Sequence, residues 1–204
     1  MKNLLRGVMS LKGSNTSAEP LKWDEAIILY KSLLKDNYPR LAAMVILGIH
    51  TGLRIGDIRM LTWEQLLGDN ISIVEQKTSK FKYIALTNKV IQLLHTCYIQ
   101  SGSPNKKQHF LLSQKGMVYT IQRLNVIMKE WKYTYNLNVN NISTHTLRKT
   151  MATKLLSLYT DKVLGIKAVQ GALNHDSVDN TLRYLGISQD TYELWVNSSK
   201  NICL

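Results

Sequence analysis

Hydrophobic residues recur along most of the chain with the spacing of amphipathic α-helices. The first such face begins near Lys22. Pro39 then marks a break before a nearly continuous apolar stretch at 41–52, which predicts a buried helix. A short helix is expected at 54–61. Later helices are predicted at 88–100, 120–135, 144–159, 166–173, 178–185 and 189–198.

Two short segments, 71–75 and 83–86, have the composition and alternation of β-strands. They flank residues 76–82, and this connection carries Lys77, Lys80 and Lys82. The sequence therefore predicts a basic β-hairpin among the helices. The expected fold class is mainly α with a small antiparallel β-sheet (α+β).

The length and the distribution of small polar residues indicate one folded domain. The chain has 204 residues and a mass of 23.3 kDa, which suits an ordinary single domain. Residues 1–19 are rich in small polar residues and predict a flexible N-terminal arm or linker. Residues 20–204 then form the domain, which ends in a C-terminal tail helix.

Nothing in the sequence predicts a membrane span or a secretory signal. The longest apolar candidate, at 41–53, is shorter than the roughly 20 residues that a transmembrane helix needs. The apolar stretch near the N-terminus is interrupted by Arg6. Cys97 and Cys203 are the only cysteines and form no C-x-x-C pair, which is typical of a reducing compartment. We therefore expect a cytoplasmic protein.

The charge balance favours a polyanionic partner. The chain carries 26 Lys and Arg against 14 Asp and Glu, a formal charge of +12. Basic side chains that contact nucleic-acid phosphates release condensed counterions, and this release drives binding. A basic but otherwise ordinary soluble protein has the same composition, so charge alone does not decide the function.

Four short segments bring together arginine, histidine and tyrosine: T-G-L-R at 51–54, H-T-L-R at 145–148, L-N-H-D-S at 173–177 and T-L-R-Y at 181–184. Arginine donates two parallel hydrogen bonds to a phosphate and stays charged. Imidazole transfers protons near neutral pH, and a phenol attacks when cations and a base assist it. These groups suit attack on a DNA phosphate without a metal. The sequence has no metal-site or P-loop pattern, so we expect no metal and no cofactor.

In this order and at these separations, the four segments resemble the motifs of the tyrosine recombinases, the phage integrase family. The resemblance covers about 21–192 and departs at Asn174, where glycine is usual. It implies the family's catalytic-domain fold over 20–204. It also implies a site-specific DNA recombinase that cuts and rejoins DNA through a covalent 3′-phosphotyrosyl intermediate, in integration, excision or inversion.

The resemblance assigns roles to five residues. Arg54 and Arg148 correspond to the family's phosphate clamp. His145 and His175 correspond to histidines that transfer protons or donate to the phosphate. Tyr184 corresponds to the nucleophile. Taken singly, each of these residues also fits a structural role, and only the ordered set favours catalysis.

Further basic residues are expected to serve the same reaction. The family commonly uses a hairpin lysine as the general acid for the leaving 5′-hydroxyl, and Lys77 corresponds to it. Lys80, Lys82, Lys149 and Arg183 are expected as additional DNA contacts. The implied partner is double-stranded DNA, bound by a homo-tetramer that is a monomer when free. The implied origin is a prokaryote, phage or mobile element, with the protein associated with the nucleoid.

Two positions have competing interpretations. Tyr192 is also C-terminal and competes with Tyr184, but it lacks the preceding T-x-x spacing. Asp57 lies three residues after Arg54, so on a helix it could orient that arginine. Alternatively, Asp57 is a solvated helix residue.

Alternative functions and boundaries are compatible with the same residues. A type IB topoisomerase-like enzyme has a similar site but relaxes supercoils as a monomer. A non-catalytic DNA-binding regulator of the same fold is disfavoured by the intact five-residue set. The short region before the domain fits either a fragment of a longer recombinase or a short stand-alone member like the fimbrial-type invertases. The tail helix packs either on its own domain or on a neighbouring protomer.

Overall fold

The computed structural model describes residues 17–200, with side chains as far as Ser198. This part of the chain forms ten helices and one two-stranded antiparallel sheet. In chain order the elements are α1 (Trp23–Lys35), α2 (Pro39–Thr51), α3 (Ile55–Ile58), α4 (Trp63–Leu66), β1 (Asn70–Val74), β2 (Phe81–Ala85), α5 (Asn88–Gln100), α6 (Ile121–Thr134), α7 (Thr144–Ser157), α8 (Lys162–Leu173), α9 (Val178–Leu185) and α10 (Gln189–Lys200).

The helix α2 forms the centre of the core because it is apolar on every face. Met44, Ile46 and Leu47 have no exposed surface. The helices α1, α5 and α7 pack around it, so a helix that is hydrophobic all round is covered all round. Proline at its first position fits the orphan N–H of a helix start. Its end leads through a short turn to Arg54, which directly precedes α3.

The sheet is a hairpin whose two faces differ. Ile71 pairs with Ile84, and Ile73 pairs with Lys82. Ile71 lies in the core, whereas Phe81 is exposed on the opposite face. Side chains alternate along a strand, so every second residue of the hairpin is directed toward the helices. Glu75, directly after β1, continues this buried face.

A smaller hydrophobic cluster holds the C-terminal helices to α7. Met151, Val169 and Leu173 form its buried part, and Tyr184 packs against it. The last helix, α10, packs against α8 and α9 of its own chain. The elements that carry the H-T-L-R and T-L-R-Y segments are therefore attached to one another through a common apolar surface.

The predicted fold class is confirmed, and most elements lie close to their predicted bounds. The helix α4 was missed; it is a single turn started by a capping box between Thr62 and Gln65. The helix α8 begins four residues earlier than predicted, because the Asp161 carboxylate accepts the N–H groups of Val163 and Leu164. The strand β2 also begins two residues before the predicted position.

Residues 1–16 of the predicted arm lie outside the described residues. Glu19, the last residue assigned to the arm, contacts the domain: its N–H donates to Asn141 O at 2.9 Å, and its Oε2 accepts from Asn140 N at 3.0 Å. The next buried residue is Leu21, whose N–H donates to Thr150 Oγ1. Within the described residues, no helix has the length and hydropathy to cross a membrane.

Candidate active site

Arg54 occupies the junction between α2 and α3. The α2 helix ends at Gly52, which has a left-handed φ of 60°, and a Cβ there would lie 2.0 Å from Met151 Cε. The left-handed backbone favours glycine, and any larger residue would also displace the flexible end of the Met151 side chain. The turn directs the Arg54 guanidinium toward the hairpin, where its Nη1 lies 2.8 Å from Glu75 Oε2. The Arg54 side chain is 20% exposed and the Glu75 side chain is fully buried.

Arg148 lies in α7 and connects two helix ends. It is only 3% exposed. Its Nη1 donates to Gly52 O, and its Nη2 donates to Leu173 O at 2.7 Å. The ends of α2 and α8 are thus bound to one guanidinium, which satisfies carbonyl groups that helix ends leave free. Burial, and then the nearby Arg54, lower the pKa of Arg148, although a guanidinium stays charged at neutral pH.

His145 lies one turn before Arg148 in the same helix. Its N–H donates to the Ser143 side chain, which caps α7. The residue is exposed, but partial desolvation lowers the pKa of its imidazole, and the charges of Arg148 and then Lys77 lower it further. The imidazole is therefore neutral at physiological pH and borders the arginines.

His175 follows the end of α8 in a tight turn. Asn174 ends that helix with a left-handed φ of 52°, a conformation that asparagine tolerates better than most residues after glycine. Asn174, where the family pattern has glycine, thus adopts a conformation that glycine also adopts readily. His175 N–H donates to Gln170 O at 3.1 Å, and its Nδ1 lies 3.1 Å from Thr181 Oγ1. Burial, followed by the charges of Arg148 and Arg54, lowers the pKa of His175 to about 4.

Tyr184 lies in α9 between His175 and Lys149. Its ring meets the His175 ring edge to face, with centroids 5.3 Å apart, and Lys149 Nζ is 5.3 Å from the ring centroid. The hydroxyl is buried and close enough to the Arg148 guanidinium to interact with it, but it forms no hydrogen bond of standard geometry. Burial raises the pKa of Tyr184 to about 12 and outweighs the lowering by Arg148 and Arg54. The phenol is therefore fully protonated at neutral pH.

Neither of the two interpretations of Asp57 matches its contacts. The residue is buried and not solvated, and its Oδ1 accepts the N–H of Gln76 at 2.9 Å. Glu75 takes the position beside Arg54 instead. A sequence signal for this existed, because Glu75 follows Ile71 and Ile73 at strand spacing and so falls on the buried face. A carboxylate in that position requires a buried cation or donor.

Three hairpin lysines have different environments. Lys77 is exposed in the turn and close enough to His145 to lower its pKa. Lys80 is exposed and paired with Asp176, next to His175. Lys82, which was expected as a DNA contact, is nearly buried. It is 8% exposed, and its Nζ donates to Ala172 O at 2.7 Å.

The burial of Lys82 follows from the register of the two strands. With β2 starting at Phe81, Lys82 pairs with Ile73 and alternates onto the inner face. Burial, and then the charge of Arg148, lower the pKa of its ammonium to about 8. Of the other predicted DNA contacts, Arg183 is exposed on α9, and Lys149 Nζ donates to Ser17 Oγ at 2.7 Å.

The structure thus brings the five principal candidates into one cluster, built from the ends of α2 and α8 and from α7 and α9. Within residues 17–198, no group of three or more His, Cys, Asp and Glu side chains gathers as a metal site would require. The cluster is cationic: Arg54, Arg148 and Lys82 share it with the carboxylates of Asp57 and Glu75. A site with this composition can bind an anion and act on it by proton transfer and nucleophilic attack.

Comparison with known proteins agrees with this arrangement. Residues 21–190 match the family described as the phage integrase family. A probable integrase/recombinase, YoeC, from Bacillus subtilis (strain 168) is 28% identical over 174 residues, which cover 85% of this chain and 92% of the relative. The chain belongs to the phage integrase family, whose members include the tyrosine recombinases.

Solved structures share the fold. XerA recombinase is similar with a TM-score of 0.67 and 21% identity, over 88% of this chain and 64% of that one. The Tn1549 transposon integrase, solved in complex with transposon right end DNA, is similar with a TM-score of 0.66 and 16% identity, over 93% of this chain and 68% of that one. The chain therefore spans less than two thirds of the XerA recombinase chain.

Proposed function

We propose that this protein is a site-specific DNA recombinase that cuts and rejoins DNA through a covalent 3′-phosphotyrosyl intermediate on Tyr184. The observation that carries the proposal is the position of the Tyr184 hydroxyl. The hydroxyl lies beside the Arg148 guanidinium, and the Tyr184 ring packs edge to face against the ring of a neutral His175. Tyr192, the competing tyrosine, lies in α10, and the lysine–tyrosine ring contact is made at Tyr184.

In the proposed reaction, the guanidinium groups of Arg54 and Arg148 bind the non-bridging oxygens of one phosphate. Negative charge grows on these oxygens in the transition state, and preorganised donors stabilise it. Both groups are held by fixed partners, Glu75 for Arg54 and two backbone carbonyls for Arg148. Little reorganisation is then needed when the phosphate arrives.

The nucleophile must lose its proton before or during attack. The Tyr184 oxygen forms a bond to phosphorus, and the bond from phosphorus to the 5′-oxygen breaks. The phenol proton passes to an imidazole, and His145 and His175 are the proposed acceptors because both lie in the site and are neutral at physiological pH. Lys77 supplies a proton to the leaving 5′-oxygen, in the role that the family resemblance gives it. Rejoining reverses these transfers, so no ATP is consumed.

DNA is the proposed substrate because the site is cationic and the chain carries a formal charge of +12. The Tn1549 integrase and the lambda integrase are related folds that were solved with DNA. Exposed Lys80 and Arg183, together with half-buried Lys149, border the site and are proposed phosphate contacts. We further propose that the protein assembles as a homo-tetramer on DNA, as the family resemblance implies.

Covalent trapping tests the proposal. The protein is incubated with nicked duplexes tiled from the DNA that flanks its gene, and the products are separated on a denaturing gel. A protein–DNA band is expected for the wild type and for Tyr192→Phe, and none for Tyr184→Phe. Relaxation of a supercoiled plasmid without any trapping duplex would instead favour the topoisomerase-like alternative. Equal bands for wild type and Tyr184→Phe would refute the assignment.

A further inference from the structure

Glu75 is a fully buried carboxylate at the junction of β1 and the hairpin turn, and the reaction described above uses it only as the ion-pair partner of Arg54. We propose that Glu75 is a positioning residue that fixes the Arg54 guanidinium for phosphate binding and couples it to the turn that carries Lys77. This inference rests on the proposed recombinase function. The contacts of Glu75 involve both its side chain and its backbone.

The side-chain contacts orient the guanidinium. Glu75 Oε2 lies 2.8 Å from Arg54 Nη1 and accepts the Thr78 hydroxyl at 2.7 Å. Desolvation raises the pKa of Glu75, but the Thr78 hydroxyl and the Arg54 charge outweigh it, so the pKa is lowered and the group is ionised. The ion pair keeps one end of the guanidinium against a buried carboxylate. The other N–H groups of Arg54 are then available to donate to a bound phosphate.

The backbone contacts fix the turn. Glu75 N–H donates to Lys80 O, and Glu75 O accepts from Ser79 N–H, both at 2.9 Å. Gln76 N–H, next along the chain, donates to Asp57 Oδ1. The turn that contains Lys77 is therefore closed on Glu75 and anchored to α3. Since Arg54 directly precedes α3, one small region sets the positions of the phosphate-binding arginine and the general-acid lysine together.

The different exposure of Glu75 and Arg54 predicts that loss of the carboxylate changes the orientation of the Arg54 guanidinium. The carboxylate has no exposed surface, whereas Arg54 is 20% exposed. Without the carboxylate, the guanidinium has solvent on one side and Lys82 and Arg148 among its neighbours on the other. Like charges repel it from the cluster. The guanidinium is then expected to leave the phosphate-binding orientation.

Single-turnover trapping on the duplex that traps the wild type tests this role. Glu75→Gln preserves shape but removes the charge, and it is expected to slow covalent-complex formation by about tenfold to a hundredfold. Glu75→Asp retains a carboxylate and is expected to be faster than Glu75→Gln. The matched control is Glu64→Gln, the same change at an exposed residue of α4, which should leave the rate unchanged. Thermal melting of each variant verifies folding.

A double variant distinguishes positioning of Arg54 from a merely structural role of Glu75. In an Arg54→Ala background, adding Glu75→Gln is expected to change the rate by no more than about twofold, since the second residue acts through the first. A duplex with a neutral methylphosphonate at the cleaved position should also reduce the Glu75→Gln defect, because less charge needs stabilisation.

The outcomes separate this inference from the function on which it rests. Failure of the wild type to trap any duplex contradicts the proposed function. Trapping at equal rates by wild type and Glu75→Gln contradicts the role of Glu75 alone. A Glu75→Gln defect that is undiminished in the Arg54→Ala background, and on the methylphosphonate duplex, also overturns it.

Discussion

Gly48 allows α2 to pack closely against α7, the helix that carries His145 and Arg148. Gly48→Ala tests how much this close packing matters. A Cβ at this position would lie 2.6 Å from Leu147 Cβ and 2.9 Å from Leu147 Cδ1. Carbon atoms in favourable contact are about 3.5–4.0 Å apart. Leu147 is 1% exposed, and its Cβ is attached directly to the backbone. Only a movement of α7 away from α2 can relieve the clash.

The energetic consequence is the difference of two terms. Overpacking a buried contact costs about 1–3 kcal/mol, and the upper part of that range applies where the backbone must move. Alanine regains about 1 kcal/mol over glycine in a helix. The net destabilisation is therefore about 2 kcal/mol. In a chain of this length, that lowers Tm by about 4–8 °C.

The assay is thermal and urea unfolding of Gly48→Ala beside a matched control. Gly171→Ala makes the same substitution in α8, where a Cβ meets no atom within 4 Å. It should gain about 0.5–1 kcal/mol from helix propensity. Because Arg148 follows Leu147 and donates to Gly52 O, Gly48→Ala should also trap DNA more slowly. A Gly48→Ala protein as stable as Gly171→Ala would refute the close-approach argument.

Three further predictions concern protonation, DNA contacts and helix capping. The pKa of His175 is lowered from 6.5 to about 4, so its stabilising contribution is complete above pH 6.5 and is lost as pH falls toward 4. His175→Asn should therefore make the decline in urea-unfolding free energy between pH 7 and 5 shallower. Arg183→Ala should reduce the slope of log K against log salt concentration by about 0.9 in a DNA-binding titration, whereas Lys82→Met, at a buried residue, should not; equal slope changes would contradict the burial of Lys82. Asp161→Ala should cost about 1 kcal/mol in urea unfolding, because it removes the N-cap of α8, and an unchanged midpoint would contradict this.

The helices and the principal candidate residues could be predicted from the sequence because their signals are local. A nearly continuous apolar stretch marks α2, apolar periodicity marks α5, and the ordered motifs mark the five principal candidates. The start of α8 was missed because it depends on a cap at Asp161 and not on an apolar face. The single turn of α4 was missed for a related reason: four residues carry too little periodicity to be recognised.

The burial of Lys82 and the pairing of Glu75 with Arg54 could not be predicted from the assumed strand bounds. A strand taken to begin at residue 83 leaves Lys82 in the turn, whereas the actual start at Phe81 places it inward. A two-residue difference in a strand boundary thus changes a proposed surface contact into a buried cation. The Arg54–Glu75 pair joins residues 21 positions apart, and the contact depends on how the hairpin packs on α3. Tertiary packing, and not local pattern, determines it.

The most direct test is to identify the residue that carries DNA in the trapped complex. Cleavage after Arg183 and Lys200 releases a peptide from 184 to 200, which contains both Tyr184 and Tyr192. After nuclease digestion, fragment masses of this peptide locate the attached nucleotide. The account predicts the nucleotide on Tyr184, linked through its 3′-phosphate. Attachment to Tyr192, or a linkage through the 5′-phosphate, would contradict it.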